Sequence, residues 1–378
     1  MATDALMPAT AVAAVPDRGR RRFVTATTAL LSAPAWSAPS SGTAMRAAAP
    51  SHTTQLLSAW AERDAGGRLQ HRAGQVAAAG IAVPQRAHGI SRDPLASSAA
   101  YVVARRPGTW LWRIDGHSGA LLAAAEDDAE YRYEGHVVVD AARHRVYATE
   151  SHVIDPEGCV GVYDALTLQR LATWHSGGIG PHELLQIAPD VLAVANGGIL
   201  TLPETGRVKR NLDSMQPRLA LIDLRDGRVL QTLELPRPHA GIRHLAWSDD
   251  GTLGVALQLE EQLTLPLLAT LRGDALRSAQ PQRDGAQNAV RYGAAIAACG
   301  DRFAVTCPQN DCVHLWDSAG VAVGTVSMPK PSGITARGGA FIVSSETGVV
   351  LHIDARTLAV ERDEALSHPA RLWDNHLA

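Results

Sequence analysis

No segment of the 378 residues approaches the roughly 18 consecutive apolar residues that a membrane helix needs, so membrane insertion is not expected. Beyond the N-terminus there is no basic run, and the formal net charge is only −3. The electrostatic footprint of a protein that binds nucleic acid or an anionic membrane is therefore missing. Four cysteines are too few to staple a chain of this length. There is no Gly-x-Ser-x-Gly elbow, no phosphate-cradling glycine loop and no Cys-x-x-Cys-His haem attachment, which leaves serine-nucleophile, phosphoryl and covalent-haem chemistry without a motif.

What is present begins with "PDRGRRRFVTATTALLSAPAWSA". A basic n-region, a brief apolar stretch and small residues form the order of an export signal, and Arg20-Arg21-x-Phe23-Val24 fits its twin-arginine form. The expectation is a signal over 1–35, a disordered linker over 36–54 and a periplasmic mature protein exported by the twin-arginine pathway.

From about Gln55 onward the sequence repeats. "GHVVVDAARHRVYATES", "PHELLQIAPDVLAVANGG" and "IRHLAWSDDGTLGVALQ" each give an apolar strand, a turn and a second apolar strand. A second phrase follows, in which a strand runs into an aspartate and a turn: "WLWRIDGHSGALLAA", "VGVYDALTLQRLATW", "LALIDLRDGRVLQTL", "VHLWDSAGVAVGTV", "VLHIDARTLAVER". Four strands per unit, at a period of about 40 to 50 residues, is the signature of a propeller blade. Junctions near His88, His136, His182, His244, Tyr292, Gly333 and His376 predict an all-β, seven-bladed propeller over 55–378. Its last blade would be closed by both chain ends, and one blade carries an insertion, 196–218. The aspartates Asp115, Asp164, Asp223, Asp317 and Asp354 are read as turn residues that accept backbone hydrogen bonds, not as acid-base catalysts.

In a propeller, the starts of the innermost strands and the loops between second and third strands share one face. That geometry gathers His88, His136, His182, Glu183, Arg243, His244, Asp374 and His376 with Glu150 and Asn196 into one polar funnel, with the insertion beside it. Imidazole and carboxylate suit a metal ion, with His182, Glu183 and His244 the candidate ligands, and the arginines suit an anion. No two of these histidines have local ligand spacing, so a metal site must be assembled from separate blades; a histidine heading a strand also serves as a structural donor. Cys307 and Cys312 flank the turn-like "PQND" and read equally as a hairpin disulfide or as two unpaired thiols.

"GGIGPHELL", "VANGGILTLPETGRVKRNLDSMQPRLALID", "IRHLAW", "GVALQ" and "RLWDNH" resemble a bacterial family of exported, seven-bladed, WD-repeat-like propellers with a domain of unknown function. His182, Glu183, Asn196, Glu204, Arg207, Asn211 and Asp213 match its pattern. The resemblance implies an accessory role in iron acquisition, because members are encoded beside imelysin-type, EfeO-like and di-haem peroxidase-like proteins, and it implies an imelysin-like or other periplasmic iron-uptake partner. It supplies no catalytic residue. The expected function is a binding module, monomeric by default, whose funnel, with Glu204 and Arg207 at its rim, holds a metal, a small ligand or a partner protein. The alternative is a metal-dependent or lactonase-like propeller enzyme with His182 and Glu183 in the site.

Overall fold

The computed structural model describes residues 56–125, 128–155, 157–201, 208–236, 239–260, 265–282 and 291–378. The expected signal and linker, and Glu204 and Arg207, lie outside the described residues. The chain is built of strands, with a 3-10 turn at Leu212–Ser214. No helix among the described residues is long and apolar enough to cross a membrane.

Strands β1 (Leu57–Arg63), β2 (Leu69–Gln75) and β3 (Ile81–Val83) open the fold. Five four-strand sheets follow the repeats read from the sequence. They are β4 (Ala87–Arg92), β5 (Ala99–Ala104), β6 (Leu111–Asp115) and β7 (Leu121–Ala124); β8 (Tyr131–Asp140), β9 (Arg145–His152), β10 (Gly158–Asp164) and β11 (Arg170–His175); β12 (Pro181–Ala188), β13 (Val191–Asn196), β14 (Arg218–Asp223) and β15 (Val229–Leu233); β16 (Ala240–Trp247), β17 (Leu253–Leu259), β18 (Leu268–Arg272) and β19 (Ala275–Ser278); β20 (Ala295–Cys299), β21 (Arg302–Cys307), β22 (Cys312–Asp317) and β23 (Ala322–Ser327). An eight-stranded sheet holds the rest: β24 (Pro331–Arg337), β25 (Ala340–Ser345), β26 (Val350–Asp354) and β27 (Val360–Arg362) on one side, then β28 (Leu372–Leu377) leading into β1, β2 and β3. The C-terminal strand thus completes a four-strand unit with the N-terminal three. It pairs antiparallel with β1, Trp60 opposite Trp373, and touches β24 through a single parallel bridge, Ile334 to His376.

Apolar residues on facing sheets hold the units together. Tyr101 and Val103 pack with Tyr133, Val146 and Ala148; Tyr147 and Val160 with Leu192 and Ala220; and Leu56 and Trp60 with Ile342, Val350 and Trp373. Each fully buried large side chain of this kind contributes about 1.5–3 kcal/mol. First strands pack on first strands in sequence, β4 on β8, β8 on β12, β12 on β16, β16 on β20 and β20 on β24, and β28 lies against both β24 and β4. This all-β arrangement of repeated four-stranded sheets is consistent with a propeller.

The repeated aspartates are turn residues, as the sequence suggests. Asp115 accepts from the backbone N–H of Ser118, Asp164 from those of Leu166 and Thr167, and Asp354 from Arg356 and Thr357. Each carboxyl is held below its ordinary pKa by these donors.

Candidate metal centre

A β-strand sends successive side chains to opposite faces, and a bulge breaks that rule by placing two residues opposite one. Register shifts fall at the same place in one first strand after another: between Ala87 and Ile90, Tyr133 and Val137, Pro181 and Leu184, Ile242 and His244, and Pro331 and Ile334. The C-terminal strand shows the same irregularity where it meets β1, between the partners Trp373 and Leu377. His88, His136, His182, His244 and His376 sit in or beside these irregular stretches, each on the first strand of a different unit.

The five imidazoles cluster around His136. His136 lies 4.5 Å from His182, 4.6 Å from His376, 4.9 Å from His88 and 5.3 Å from His244, ring centroid to ring centroid. His88, His136, His182 and His244 are at most 3 % exposed, and His376 is half-buried. Glycine makes part of this approach possible. Gly135, at φ 110°, lies against His88, and a Cβ there would stand 2.7 Å from the imidazole Cδ2.

Two carboxylates set the rings. Glu183, brought to the same side as His182 by its bulge, faces His244 Nδ1 at 3.0 Å and accepts from the backbone N–H of Leu245 at 3.0 Å; its other oxygen is 3.9 Å from His136 Nδ1. Asp374 faces His88 Nδ1 at 2.9 Å and also pairs with Arg86. In each case the Nδ1–H donates to the carboxylate, which leaves the Nε2 lone pair aimed elsewhere. The Nε2 atoms of His182 and His244 face each other at 3.3 Å. His136 Nε2, His376 Nε2 and His182 Nδ1 are buried without any partner. His88 and His244 thus donate to carboxylates of neighbouring units, as a structural histidine does, whereas His136, His182 and His376 each keep an unsatisfied ring nitrogen.

Burial fixes the charge state. It pushes His136, His182, His244 and His376 well below the usual imidazole range, and His88 down to about 4 despite the hydrogen bond to Asp374. Burial pushes Glu183 up to about 7. For Asp374 burial acts upward, but the bonds from His88 and Arg86 outweigh it and hold the carboxyl low. Five neutral imidazoles at neutral pH are five available lone pairs.

This donor set fits a metal ion. Ligand atoms of His136, Glu183, His244 and His376 lie within 4.8 Å of one another, as do those of His88, His136 and His182. Two imidazole nitrogens bound tetrahedrally to one ion at about 2.0–2.1 Å stand about 3.3 Å apart, which is the His182–His244 separation. Carboxylates that take the second ring N–H are the usual outer partners of metal-binding histidines.

The other expected funnel residues fall elsewhere or stand at the edge. Arg243 is buried next to His244, its Nε without a partner, and burial lowers its guanidinium to about 10. Glu150 is fully buried but belongs to an ion pair with Arg170 and a bond from Tyr163; Gly161 leaves the room for it, since a Cβ there would stand 2.3 Å from its Oε1. Asn196 ties its loop to Ser176, donating to the Ser176 carbonyl and accepting from Ser176 Oγ. Cys307 and Cys312 are register partners with free thiols. Asp374 is among the expected funnel residues and stands at His88; Arg86, its second partner, was not singled out from the sequence. A cavity of about 680 Å³ lined by Asp249, Cys299, Arg302, Arg337 and Arg356 shares no residue with the histidine centre.

No curated protein matches this chain. A family model described as a protein of unknown function (DUF1513) matches residues 81–378, a span that begins just before His88 and contains every residue of the histidine centre. The chain therefore belongs to the DUF1513 family of proteins of unknown function.

Proposed function

We propose that the protein is a metal-binding propeller, in which seven four-strand units close into a ring and the histidines of five of them hold a transition-metal ion at its centre. The observation that carries this reading is the set of five converging, neutral imidazoles, two of them oriented by carboxylates and three with an orphaned ring nitrogen. An orphaned buried polar atom costs about 1–3 kcal/mol, and an ion at the centre removes that cost at several positions together. Imidazole with carboxylate suits iron, copper or zinc and excludes magnesium or calcium as the preferred ion. The bound ion supplies a fixed positive charge and a Lewis-acidic coordination position. Glu183 and Asp374 hold the ring protons on Nδ1, and the surrounding sheets keep water from the inner histidines. Arg243, buried beside the centre without a partner for its Nε, favours an ion that arrives with an anionic oxygen ligand.

Ring closure is supported by the packing of β28 against both β24 and β4. Periplasmic location rests on the twin-arginine-like N-terminus. A role beside imelysin-like proteins in iron acquisition rests on the sequence resemblance, with which a histidine-carboxylate centre is compatible.

Elemental analysis of the protein purified from its native compartment, beside a His182→Ala, Glu183→Ala variant, tests the reading. About one ion of iron, copper or zinc per chain more in the wild type than in the folded variant supports it. A folded wild-type protein that holds and takes up no more of such an ion than the variant overturns it.

A further inference from the structure

A second group of ligand-type side chains, sharing no residue with the histidine centre, lies at the hairpin between β21 and β22. Cys307 ends β21 and Cys312 begins β22, and the two are direct partners in the register. His314 follows two residues later on the same face of β22. Cys307 is fully buried, His314 is 1 % exposed and Cys312 is 8 % exposed. Both cysteines pack into the apolar cluster shared with β16 to β19. One ligand atom from each of the three lies within 4.8 Å of the others.

The imidazole is oriented for this role. His314 Nδ1 lies 3.0 Å from Thr325 Oγ1 on β23, and Nε2 is 3.5 Å from Cys312 Sγ. With the Nδ1–H donated to the threonine, the Nε2 lone pair faces the sulfurs. The fold does not require a histidine there: the position three residues before the turn aspartate is Trp112, Gly161, Ala220 and Leu351 in the other repeats. A sulfur and an imidazole nitrogen bound to one tetrahedral ion, at about 2.3 and 2.0–2.1 Å, stand about 3.5 Å apart. That is the separation found.

We infer that Cys307, Cys312 and His314 form a second metal site, separate from the histidine centre, for a thiophilic d10 ion of the zinc(II) or copper(I) class. Thiolate donors select such ions over the harder iron and magnesium. Binding a divalent ion exchanges two S–H protons for two metal–sulfur bonds and releases both protons to solvent, with no change of oxidation state. An ion between the sulfurs also keeps them from oxidising to the hairpin disulfide, the competing fate of a register pair.

The test uses the full-length chain, reduced and held without oxygen, with cobalt(II) as the probe. A thiolate-to-cobalt charge-transfer band in the near ultraviolet is expected at about one equivalent, to persist in a His182→Ala, His244→Ala variant, and to bleach on adding zinc(II). Cys312→Ala, at the rim of the site, should abolish the band without unfolding the chain, as followed by circular dichroism. Thr325→Val should weaken zinc(II) binding by about 10- to 100-fold, the usual effect of losing an outer-shell partner. Absence of the band in the reduced wild-type chain overturns the site, whether the sulfurs are then found as free thiols or as a disulfide. A band that survives Cys312→Ala overturns it equally.

Discussion

The histidine centre is demanding at the scale of single residues because it buries titratable rings with too few partners. In the unfolded chain an imidazole titrates near 6.5, whereas burial holds His88 down to about 4 and its four neighbours well below the usual range. As pH falls from about 6.5 toward 4, the unfolded state takes up protons that the folded state refuses. The contribution of these five rings to the stability of the metal-free protein is therefore complete above about pH 6.5 and is lost progressively below it; Glu183, raised to about 7, works the other way but is one group against five. Denaturant melts of metal-free protein at pH 7.5 and pH 5 should show a clear drop at pH 5, and equal midpoints would contradict it. Gly135→Ala places a methyl against the His88 ring at a φ that disfavours alanine. We expect it to cost about 1–3 kcal/mol and to weaken metal binding, read by thermal melting and by titration. Glu183→Gln keeps an acceptor for the Leu245 N–H but removes the charge that holds the His244 ring proton. Metal affinity should fall by about 10- to 100-fold while the melt of the metal-free protein changes little.

At the scale of elements, the first strand of each unit joins architecture to chemistry. Its position was legible in the sequence, because the junction residues His88, His136, His182, His244 and His376 each head an apolar strand followed by a turn and a second strand. Its bulge was not legible. Period-2 alternation sends Glu183 to the face opposite His182, and nothing local in "GPHELL" announces the register shift between Pro181 and Leu184. For the same reason Glu150 and Asn196 were gathered into the funnel, although the alternation of β9 turns Glu150 toward Arg170 and Asn196 serves its own loop. Asp374 was legible from its place on the C-terminal strand, whereas Arg86, just ahead of β4, was not. The strands also support one another across units: Thr149 on β9 donates to the His182 carbonyl at 2.9 Å, and Thr306 on β21 donates to the Ser332 carbonyl at 2.9 Å. Thr149→Val removes the tie beneath His182 and should cost about 0.5–1.5 kcal/mol, measured as a shift in the denaturation midpoint.

For the whole molecule, the chain ends matter most. The repeat count led to the expectation that the C-terminus supplies the first strand of a unit begun at the N-terminus, and β28 does pair with β1. The same short strand contributes Asp374 and His376 to the centre, so completing the last unit and completing the candidate site are one event. Removing residues 372–378 exposes the edges of β1 and β24 and leaves Trp60 without Trp373, its edge-to-face neighbour at 5.5 Å. Unpaired edges invite aggregation. The truncated protein should elute as aggregate in size-exclusion chromatography and should not bind metal at the centre.

Ligation of one metal centre by histidines from separate units is read by X-ray absorption at the metal edge. The sample is the Cys312→Ala protein loaded with one equivalent of zinc(II), so that the hairpin cysteines do not contribute. A first shell of nitrogen and oxygen at about 2.0–2.1 Å is expected, with the outer-shell scattering of at least three imidazoles and no sulfur. A shell of water oxygens without imidazole scattering would contradict it.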